Sequence, residues 1–507
     1  MLTIARLSIL IALVVPSCAS PSPTVTKDRP NILWIVAEDL SSELNCLGVE
    51  EVSTPTLDRL AETGVMFTNV IMPAPVCSPC RSALITGVMQ TTLGLQNHHS
   101  SRTAESAIEL PDSIRTVPEL FKSAGYFTFN SGKDDYNFWY DRNDLYEGEH
   151  DAHPLYGKRG KPIDWNDRPD PKQPFFGQIQ LYGGKHIFKS DARFQELVDA
   201  PVDRSAVQIP PYYPRSAEMV EAWARYLEAM QITDREVAEI LAHMSEDGVL
   251  DNTIVFFFSD HGARFLRHKQ FLYEGGLKVP LIVTWGKNVE LDSVGHRPEL
   301  VSGLDIAGAS LAAAGIERPI YFEGEDLFAP QHSAREFVIS ARDRCDFTID
   351  RIRSVRTKRF KYIRNFMLDR PAMQPNYRDE WQLTQSLRQL NKQGSLNAVQ
   401  AAHFREDRVP EELYDLQADP HELVNLVDQA EYQQELQRHR QILEDWITST
   451  DDQGQYPEAD PGLRVMLGIW GDQAVNPEYN TLRAQEPSLA GSLWTSLKEQ
   501  PFKPVDG

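Results

Sequence analysis

The stretch Cys77-Ser78-Pro79-Cys80-Arg81 contains the residue types with the clearest capacity for chemistry. Pro79 suits the first turn of a helix, and Ser78 could cap the exposed amides at the helix start. Cys77 would then lie at a helix N-terminus, where unpaired amides favour a thiolate or a bound oxyanion. Arg81, one turn further along, adds a permanent cation with a planar donor fork. The stretch therefore favours negative charge at or beside Cys77.

The spacing of Cys77 and Cys80 also has two other interpretations. Cys-x-x-Cys occurs in thiol-disulfide oxidoreductases and forms half of a zinc knuckle. The chain contains no second Cys-x-x-Cys, and its 507 residues far exceed what a thioredoxin-like unit needs. The residues that flank the two cysteines argue further against the redox interpretation.

Five apolar runs of the kind expected for strands are each followed by residues that could do chemistry. In an open parallel sheet the strand ends lie along one edge, so we expect these side chains to converge. Adjacent carboxylates there are candidate ligands of a hard cation, although two acids after a strand also commonly form a solvated turn. Helical patterns at 54–63, 117–124 and 216–247 lie between these runs and indicate an α/β fold. The residues that follow the runs are Glu38-Asp39, Cys77, Lys133, His186 and Asp260-His261.

Composition and charge limit the kinds of partner. A chain of 507 residues with 41% hydrophobic residues can bury a large core and is long enough for two domains. Its formal net charge of -22 repels nucleic acid and other polyanions at long range. We therefore expect no nucleic-acid partner, and an anionic substrate would need a local basic pocket.

The first 18 residues have the pattern of an export signal. Arg6 precedes an apolar run at 7–15 that is too short to span a membrane comfortably. The residues before Cys18 resemble a bacterial lipobox, which implies lipidation of Cys18, and simple cleavage nearby is the alternative. Residues 19–28 would be a linker. We expect an exported protein in the periplasm or at the cell surface, with a lipid anchor in the outer membrane as the membrane tether.

The order of these segments resembles that of the type I sulfatases, which belong to the alkaline-phosphatase-like superfamily. The resemblance rests on C-x-P-x-R followed by Thr86-Gly87 and runs from about residue 29 to residue 450. It implies an α/β sandwich with a large, mostly parallel sheet between helices, then a smaller C-terminal α+β subdomain with an antiparallel sheet. The expected boundaries are 29–335 and 336–507. The chain departs from the family's usual residues at Glu38, Cys80 and Asp135.

The resemblance also implies a mechanism. Cys77 would be converted to formylglycine by a formylglycine-generating or an anaerobic maturation enzyme. One hydroxyl of the hydrated aldehyde attacks sulfur, and the other then allows sulfate to leave. Cations stabilise the charge on the transferred group, and His186 protonates the leaving oxygen. The catalytic residues so implied are Cys77, Arg81, Lys133, His186 and Lys269. A calcium ion would be bound by Glu38, Asp39, Cys77, Asp260 and His261.

The substrate that we expect is a sulfated polysaccharide or its oligosaccharides, because the layout resembles bacterial heparan N-sulfatase-like members. A basic stretch at 341–364 could supply the local positive pocket, although exposed charge on strands would give the same pattern. His98 and His99 could line the pocket or form a polar surface loop. The predicted substrate-binding residues are His98, His99, Arg342 and Arg344. Two alternative functions are a phosphate or phosphonate ester hydrolase of the same superfamily and an unmodified, sulfated-glycan-binding lipoprotein.

Overall fold

The computed structural model describes residues 29–153, 157–289 and 294–492. The predicted signal at 1–18, Cys18 and the linker at 19–28 lie outside these residues, so export and lipidation stay predictions. Within the described ranges, none of the helices combines the length and the apolar character needed to cross a membrane.

A nine-stranded sheet forms the centre of the molecule, in the order β4-β5-β3-β6-β1-β7-β8-β2-β9. The pairings show that seven strands point the same way and that β5 and β8 are reversed. The predicted large, mostly parallel sheet is therefore confirmed. Its strands are β1 (Asn31–Ala37), β2 (Val65–Ile71), β3 (Phe127–Lys133), β4 (His150–His153), β5 (Gly157–Gly160), β6 (Phe175–Leu181), β7 (Thr253–Ser259), β8 (Lys278–Trp285) and β9 (Gly295–Ser302).

Helices cover both faces of this sheet. Alternate residues of β1 face opposite sides, with Leu33 and Ile35 in one hydrophobic cluster and Ile32 and Trp34 in the other. The helices of the described chain are α1 (Pro55–Thr63), α2 (Cys77–Thr86), α3 (Val117–Ser123), α4 (Arg142–Leu145), α5 (Asp191–Leu197), α6 (Ala217–Glu246), α7 (Glu274–Leu277), α8 (Leu304–Ala313), α9 (Gln382–Lys392), α10 (Ala398–Ala401), α11 (Gln433–Thr450), α12 (Asp460–Trp470) and α13 (Glu478–Gln485). Residues of α1 and α6 join the first cluster, and residues of α2, α3 and α8 join the second. This is the expected sandwich.

A second, antiparallel sheet of four strands follows and confirms the expected C-terminal element. The strands pair in chain order, and α11 packs on the sheet through Leu436 and Leu443. The sheet docks on the segment between β2 and α2, where Ser340 Oγ donates to the Met72 carbonyl at 2.7 Å. The boundary placed at 335 and 336 stays a prediction. The four strands are β10 (Phe337–Arg342), β11 (Ile352–Thr357), β12 (Phe360–Asn365) and β13 (Glu411–Asp415).

Strand register brings the chemically interesting segments to one edge of the large sheet. Ala37, the last residue of β1, pairs with Leu181 at the end of β6 and with Ser259 at the end of β7. The residues that follow these three strands therefore begin side by side. Lys133 is the last residue of β3, which lies next to β6. The predicted convergence of strand ends is observed.

Candidate active site

Cys77 is the first residue of α2 and is buried. The capping interaction expected from Ser78 was wrong. The helix begins two residues earlier than that role requires, its N-cap is Val76, and the Ser78 hydroxyl has no hydrogen-bond partner in the described part of the chain. Because no side chain caps this end, the first amides of α2 add to the positive potential near Cys77.

Two positively polarised side chains touch the Cys77 sulfur. Its Sγ lies 3.1 Å from Nε2 of His261 and 3.2 Å from Nζ of Lys269. Burial by itself raises the pKa of the Cys77 thiol, but Lys133, Lys269, His261 and Lys185 bring that pKa well below its ordinary value. The site is therefore built to hold an anion at the position of the Cys77 side chain.

Arg81 links this position to the acids of the sheet edge. Its Nε donates to Asp260 at 3.0 Å, one Nη donates to Glu38 at 3.2 Å, and the other donates to Gln180 at 2.7 Å. The guanidinium group is buried, and its planar fork is held by partners on three different strand ends. This arrangement fixes a permanent cation one helical turn from Cys77.

Glu38 is surrounded by cations. Its carboxylate accepts from Arg81, lies 3.0 Å from Nζ of Lys133, and also pairs with Lys185. Burial alone raises the pKa of Glu38, but these three cations hold it far below its ordinary value. Lys133 also contacts Asp135 at 3.1 Å. Glu38 is therefore ionised and holds two lysines at the edge of the site.

Asp39 provides the observation that bears most directly on a metal ion. Its Oδ1 accepts from Lys269 at 2.8 Å, whereas its buried Oδ2 has no hydrogen-bond partner among the residues that the structure describes. Ligand atoms of Asp39, Cys77 and His261 lie within 4.8 Å of one another, and the Asp39 amide donates to Asp260 at 3.3 Å. The carboxylate oxygens of this cluster suit a hard divalent cation. The residues therefore fit a metal ion, and its identity as calcium stays a prediction.

His186 and its neighbour Lys185 contact different acidic residues. The His186 ring lies 3.2 Å from Glu236 on α6 and 5.6 Å from the Tyr182 ring, between centroids. Lys185, in contrast, reaches Glu38. Sequence reasoning named His186 and missed Lys185, although both belong to the segment Gly183–Phe188 that follows β6. The adjacent lysine, one more cation at a predicted strand end, was the signal that could have identified it.

We expect Lys185→Met to lower kcat/KM for a small aryl sulfate by about 100-fold, because it removes a half-buried cation from the anion site. Lys189→Met is the matched control, since Lys189 carries the same charge four residues away and lies over the Tyr182 ring. Lys185→Arg should recover most of the activity, because it restores the charge beside Glu38. Equal activity of the Lys185→Met and Lys189→Met proteins in steady-state assays would contradict the assignment.

The two predicted substrate histidines form a buried cluster with acids. The rings of His98 and His99 stack with centroids 3.6 Å apart, His98 lies 3.4 Å from Asp346, and His99 lies 3.2 Å from Asp135. The alternative of a polar surface loop was wrong, because both histidines are buried. Asp135 also contacts Lys133, so the cluster borders the candidate anion site. The role of the histidines in substrate binding stays a prediction.

Three arginines of the basic stretch at 341–364 are buried and paired. Arg342 lies 2.8 Å from Asp350, Arg344 forms a two-pronged ion pair with Glu458, and Arg353 lies 2.8 Å from Asp452. The alternative of exposed charge on strands was wrong for these three side chains, which are at most 2% exposed, whereas Arg364 on β12 is 36% exposed. The substrate role of Arg342 and Arg344 stays a prediction, and their observed contacts are those of a structural ion-pair network.

Comparison with known proteins agrees with this geometry. A family model described as Sulfatase matches residues 30–316, and one described as N-sulphoglucosamine sulphohydrolase, C-terminal, matches residues 262–374. An ulvan-active sulfatase of Formosa agariphila is 31% identical over 492 residues, which cover 89% of this chain and 79% of that protein.

Solved structures share the fold. One is a 2-O GAG sulfatase, with a TM-score of 0.60 and 20% identity over 86% of this chain and 96% of that chain. Another is a phosphonate monoester hydrolase of Silicibacter pomeroyi, with a TM-score of 0.58 and 16% identity over 84% and 96% of the two chains. The solved structures show the fold, and the matched family model and the 31% identical relative show that the chain belongs to the sulfatase family of sulfuric ester hydrolases.

Proposed function

We propose that this protein hydrolyses sulfate esters of sulfated polysaccharides, or of oligosaccharides derived from them, through a formylglycine made from Cys77. The observation that carries the proposal is the position of Cys77, buried at the start of α2 with Lys269 and His261 against its sulfur. When Cys77 is modified, its hydrated aldehyde supplies an oxygen nucleophile and a second hydroxyl through which sulfate is released.

The cations around Cys77 stabilise the charge of the sulfate group. Lys269 contacts the Cys77 side chain directly, and Arg81 and Lys133 both pair with Glu38, the residue before Asp39. These groups are already held in place by ion pairs, so little reorganisation is needed as charge develops on the transferred group. Preorganised cations of this kind are what an anionic transition state requires.

The leaving oxygen needs a proton, and His186 is the residue that we infer to provide it. Its Nε2 lies against Glu236, while its buried Nδ1 has no partner in the described ranges. A carboxylate on one ring nitrogen fixes the orientation of a histidine and leaves the other nitrogen for proton transfer. Glu236 is therefore the inferred positioning residue for His186.

We infer that calcium occupies the cluster beside Cys77. Glu38, Asp39 and Asp260 would hold it through carboxylate oxygens, together with His261 and the side chain at position 77. When bound, the ion offsets the negative charge of the sulfate group. The partnerless Oδ2 of Asp39 is the feature that supports a cation here.

The proposed class of glycan substrate is inferred from the relatives. The Formosa agariphila protein is described as ulvan-active, and a structural neighbour as a 2-O GAG sulfatase. A sulfated polymer outside the cell also fits the predicted export signal. The partners that we propose are a maturation enzyme for Cys77 and a sulfated carbohydrate.

A phosphonate or phosphate ester hydrolase is the second candidate, because a phosphonate monoester hydrolase shares the fold. A catalytically silent glycan-binding protein would result if Cys77 were never modified. The residues around Cys77 are compatible with either anion, so the choice among these functions depends on the chemistry of position 77 and on turnover.

The test compares protein expressed with and without a maturation enzyme. We expect the peptide that contains residue 77 to lose about 18 Da on conversion of cysteine to formylglycine. Only the modified preparation should hydrolyse 4-nitrophenyl sulfate, and it should do so faster than 4-nitrophenyl phosphate or phenylphosphonate. An intact Cys77 thiol, or a Cys77–Cys80 disulfide, in a preparation that still hydrolyses sulfate esters would refute the mechanism. Faster turnover of the phosphorus esters would favour the second candidate.

A further inference from the structure

An arginine that lies over two aromatic rings comes from the segment that follows β7 and His261. The guanidinium carbon of Arg264 is 4.4 Å from the ring centroid of Phe188 and 4.9 Å from that of Tyr377. Phe188 is 40% exposed, and its ring makes an edge contact with Trp381, with centroids 5.4 Å apart. This group, Phe188, Arg264, Tyr377 and Trp381, is called the aromatic rim below. The aromatic rim exposes an apolar ring to solvent next to a cation.

Each part of the rim is tied to a segment of the active site. Arg264 comes three residues after His261, and Phe188 comes two residues after His186. Tyr377 begins a short helical turn, and the next residue, Arg378, donates to the Lys269 carbonyl at 2.8 Å. The rim therefore lies at the same sheet edge as Cys77, on the side of Lys269.

The Tyr377 hydroxyl gives a second, independent sign of a ligand site. It is buried and has no hydrogen-bond partner among the described residues. Burial raises the pKa of the Tyr377 phenol, and the charge of Lys269 acts in the opposite direction. An unpaired buried hydroxyl, on the residue before the arginine that donates to the Lys269 carbonyl, is suited to a hydrogen bond with a bound molecule.

The chemistry of the rim matches a charged sugar. A guanidinium group carries five N–H donors in one plane, and a pair of them matches the two oxygens of a carboxylate or sulfate. An exposed phenyl ring next to it can pack against the apolar C–H face of a sugar. A local cation is also what an anionic substrate needs on a protein with a net charge of -22.

We propose that the aromatic rim is a subsite that binds a second anionic group on the substrate, a carboxylate or a further sulfate, through Arg264. The group would lie on the sulfated sugar itself or on the sugar next to it, while Phe188 packs against the ring. This inference rests on the proposed sulfatase function and adds a selectivity for acidic glycans over neutral ones. It also assigns a role to residues that sequence reasoning did not single out.

The test uses the matured, full-length protein and four sulfate esters. Three are disaccharides with the same sulfated sugar next to a neutral, a carboxylated or a sulfated neighbour, and the fourth is 4-nitrophenyl sulfate. We expect Arg264→Gln to raise KM for at least one of the two acidic disaccharides about ten-fold more than for the neutral one or the aryl sulfate. The more strongly affected acidic disaccharide identifies the group that the rim prefers. Equal changes on all four substrates, or none, would overturn the proposal.

Controls separate this inference from folding and from the proposed function. Arg193→Gln removes the same charge from an exposed surface pair with Glu196 and should change no ratio between substrates. Phe188→Leu keeps apolar bulk but removes the ring over which Arg264 lies, so it should reduce the preference for acidic disaccharides even if Arg264→Gln unfolds on heating. Failure of the wild-type protein to hydrolyse any sulfate ester would count against the proposed function alone. In that case binding is measured by calorimetry in the Cys77→Ala protein, with and without Arg264→Gln. The acidic disaccharides should bind more weakly when Arg264→Gln is present. Equal binding by the two proteins would refute the aromatic rim as a subsite.

Discussion

Cys77→Ala, in protein prepared with the maturation enzyme, is expected to lower kcat for sulfate ester hydrolysis by at least about 10⁴-fold. The change removes the side chain that becomes the nucleophile, and no neighbouring residue can replace an aldehyde hydrate. Alanine is well tolerated at the start of a helix, and Cys77 is small, so the cost to the fold should be about 1 kcal/mol. Steady-state assays with an aryl sulfate and thermal unfolding will measure the two effects separately.

Two other cysteines are the controls for this change. Cys46→Ala alters a half-buried thiol outside the site and should leave kcat within about two-fold of wild type. Cys80→Ser should also keep most of the activity. The Cys80 thiol donates to the Asp260 carbonyl at 2.8 Å, and a serine hydroxyl can make the same hydrogen bond. Activity of Cys77→Ala within ten-fold of wild type would rule out residue 77 as the nucleophile.

Asp39→Asn is expected to remove the bound metal ion and to lower activity by about 10³-fold. The carboxylate is buried between Lys269, His261 and the Cys77 sulfur, and its Oδ2 has no protein partner in the described ranges. Asparagine has the same shape, and it tolerates the left-handed backbone conformation that Asp39 adopts, with φ at 54°. The substitution therefore changes charge and ligand strength with little strain.

Metal content measured by plasma mass spectrometry will test this prediction directly. Glu43→Gln is the matched control, because Glu43 is an acid whose pKa burial raises to about 7 and which accepts from Tyr226. It should retain both metal and activity. Wild-type protein treated with a chelator should lose activity and regain it with calcium. Full metal occupancy in an inactive Asp39→Asn protein would show instead that Asp39 serves to balance the charge of Lys269.

The local features of the active site were readable from the sequence. Largely apolar runs predicted β1, β6 and β7, because strands covered on both faces are mostly apolar, although β6 also contains Gln178 and Gln180. The parallel-sheet rule then placed the residues after each run on one edge. The motif around Cys77 and Arg81 predicted the start of α2, since proline in a first turn is a local property.

The sequence by itself therefore determined which segments carry the chemistry, and only the tertiary structure decided which side chains meet. Lys185 and His186 are adjacent in the chain, yet one reaches Glu38 and the other reaches Glu236 on α6. Arg264 and Tyr377 are far apart in the chain and meet in the aromatic rim. Strand and helix patterns are set by local periodicity, whereas a side chain's partners depend on how distant elements pack around it. That packing buries Arg342 beside Asp350 and leaves the ring of Phe188 exposed.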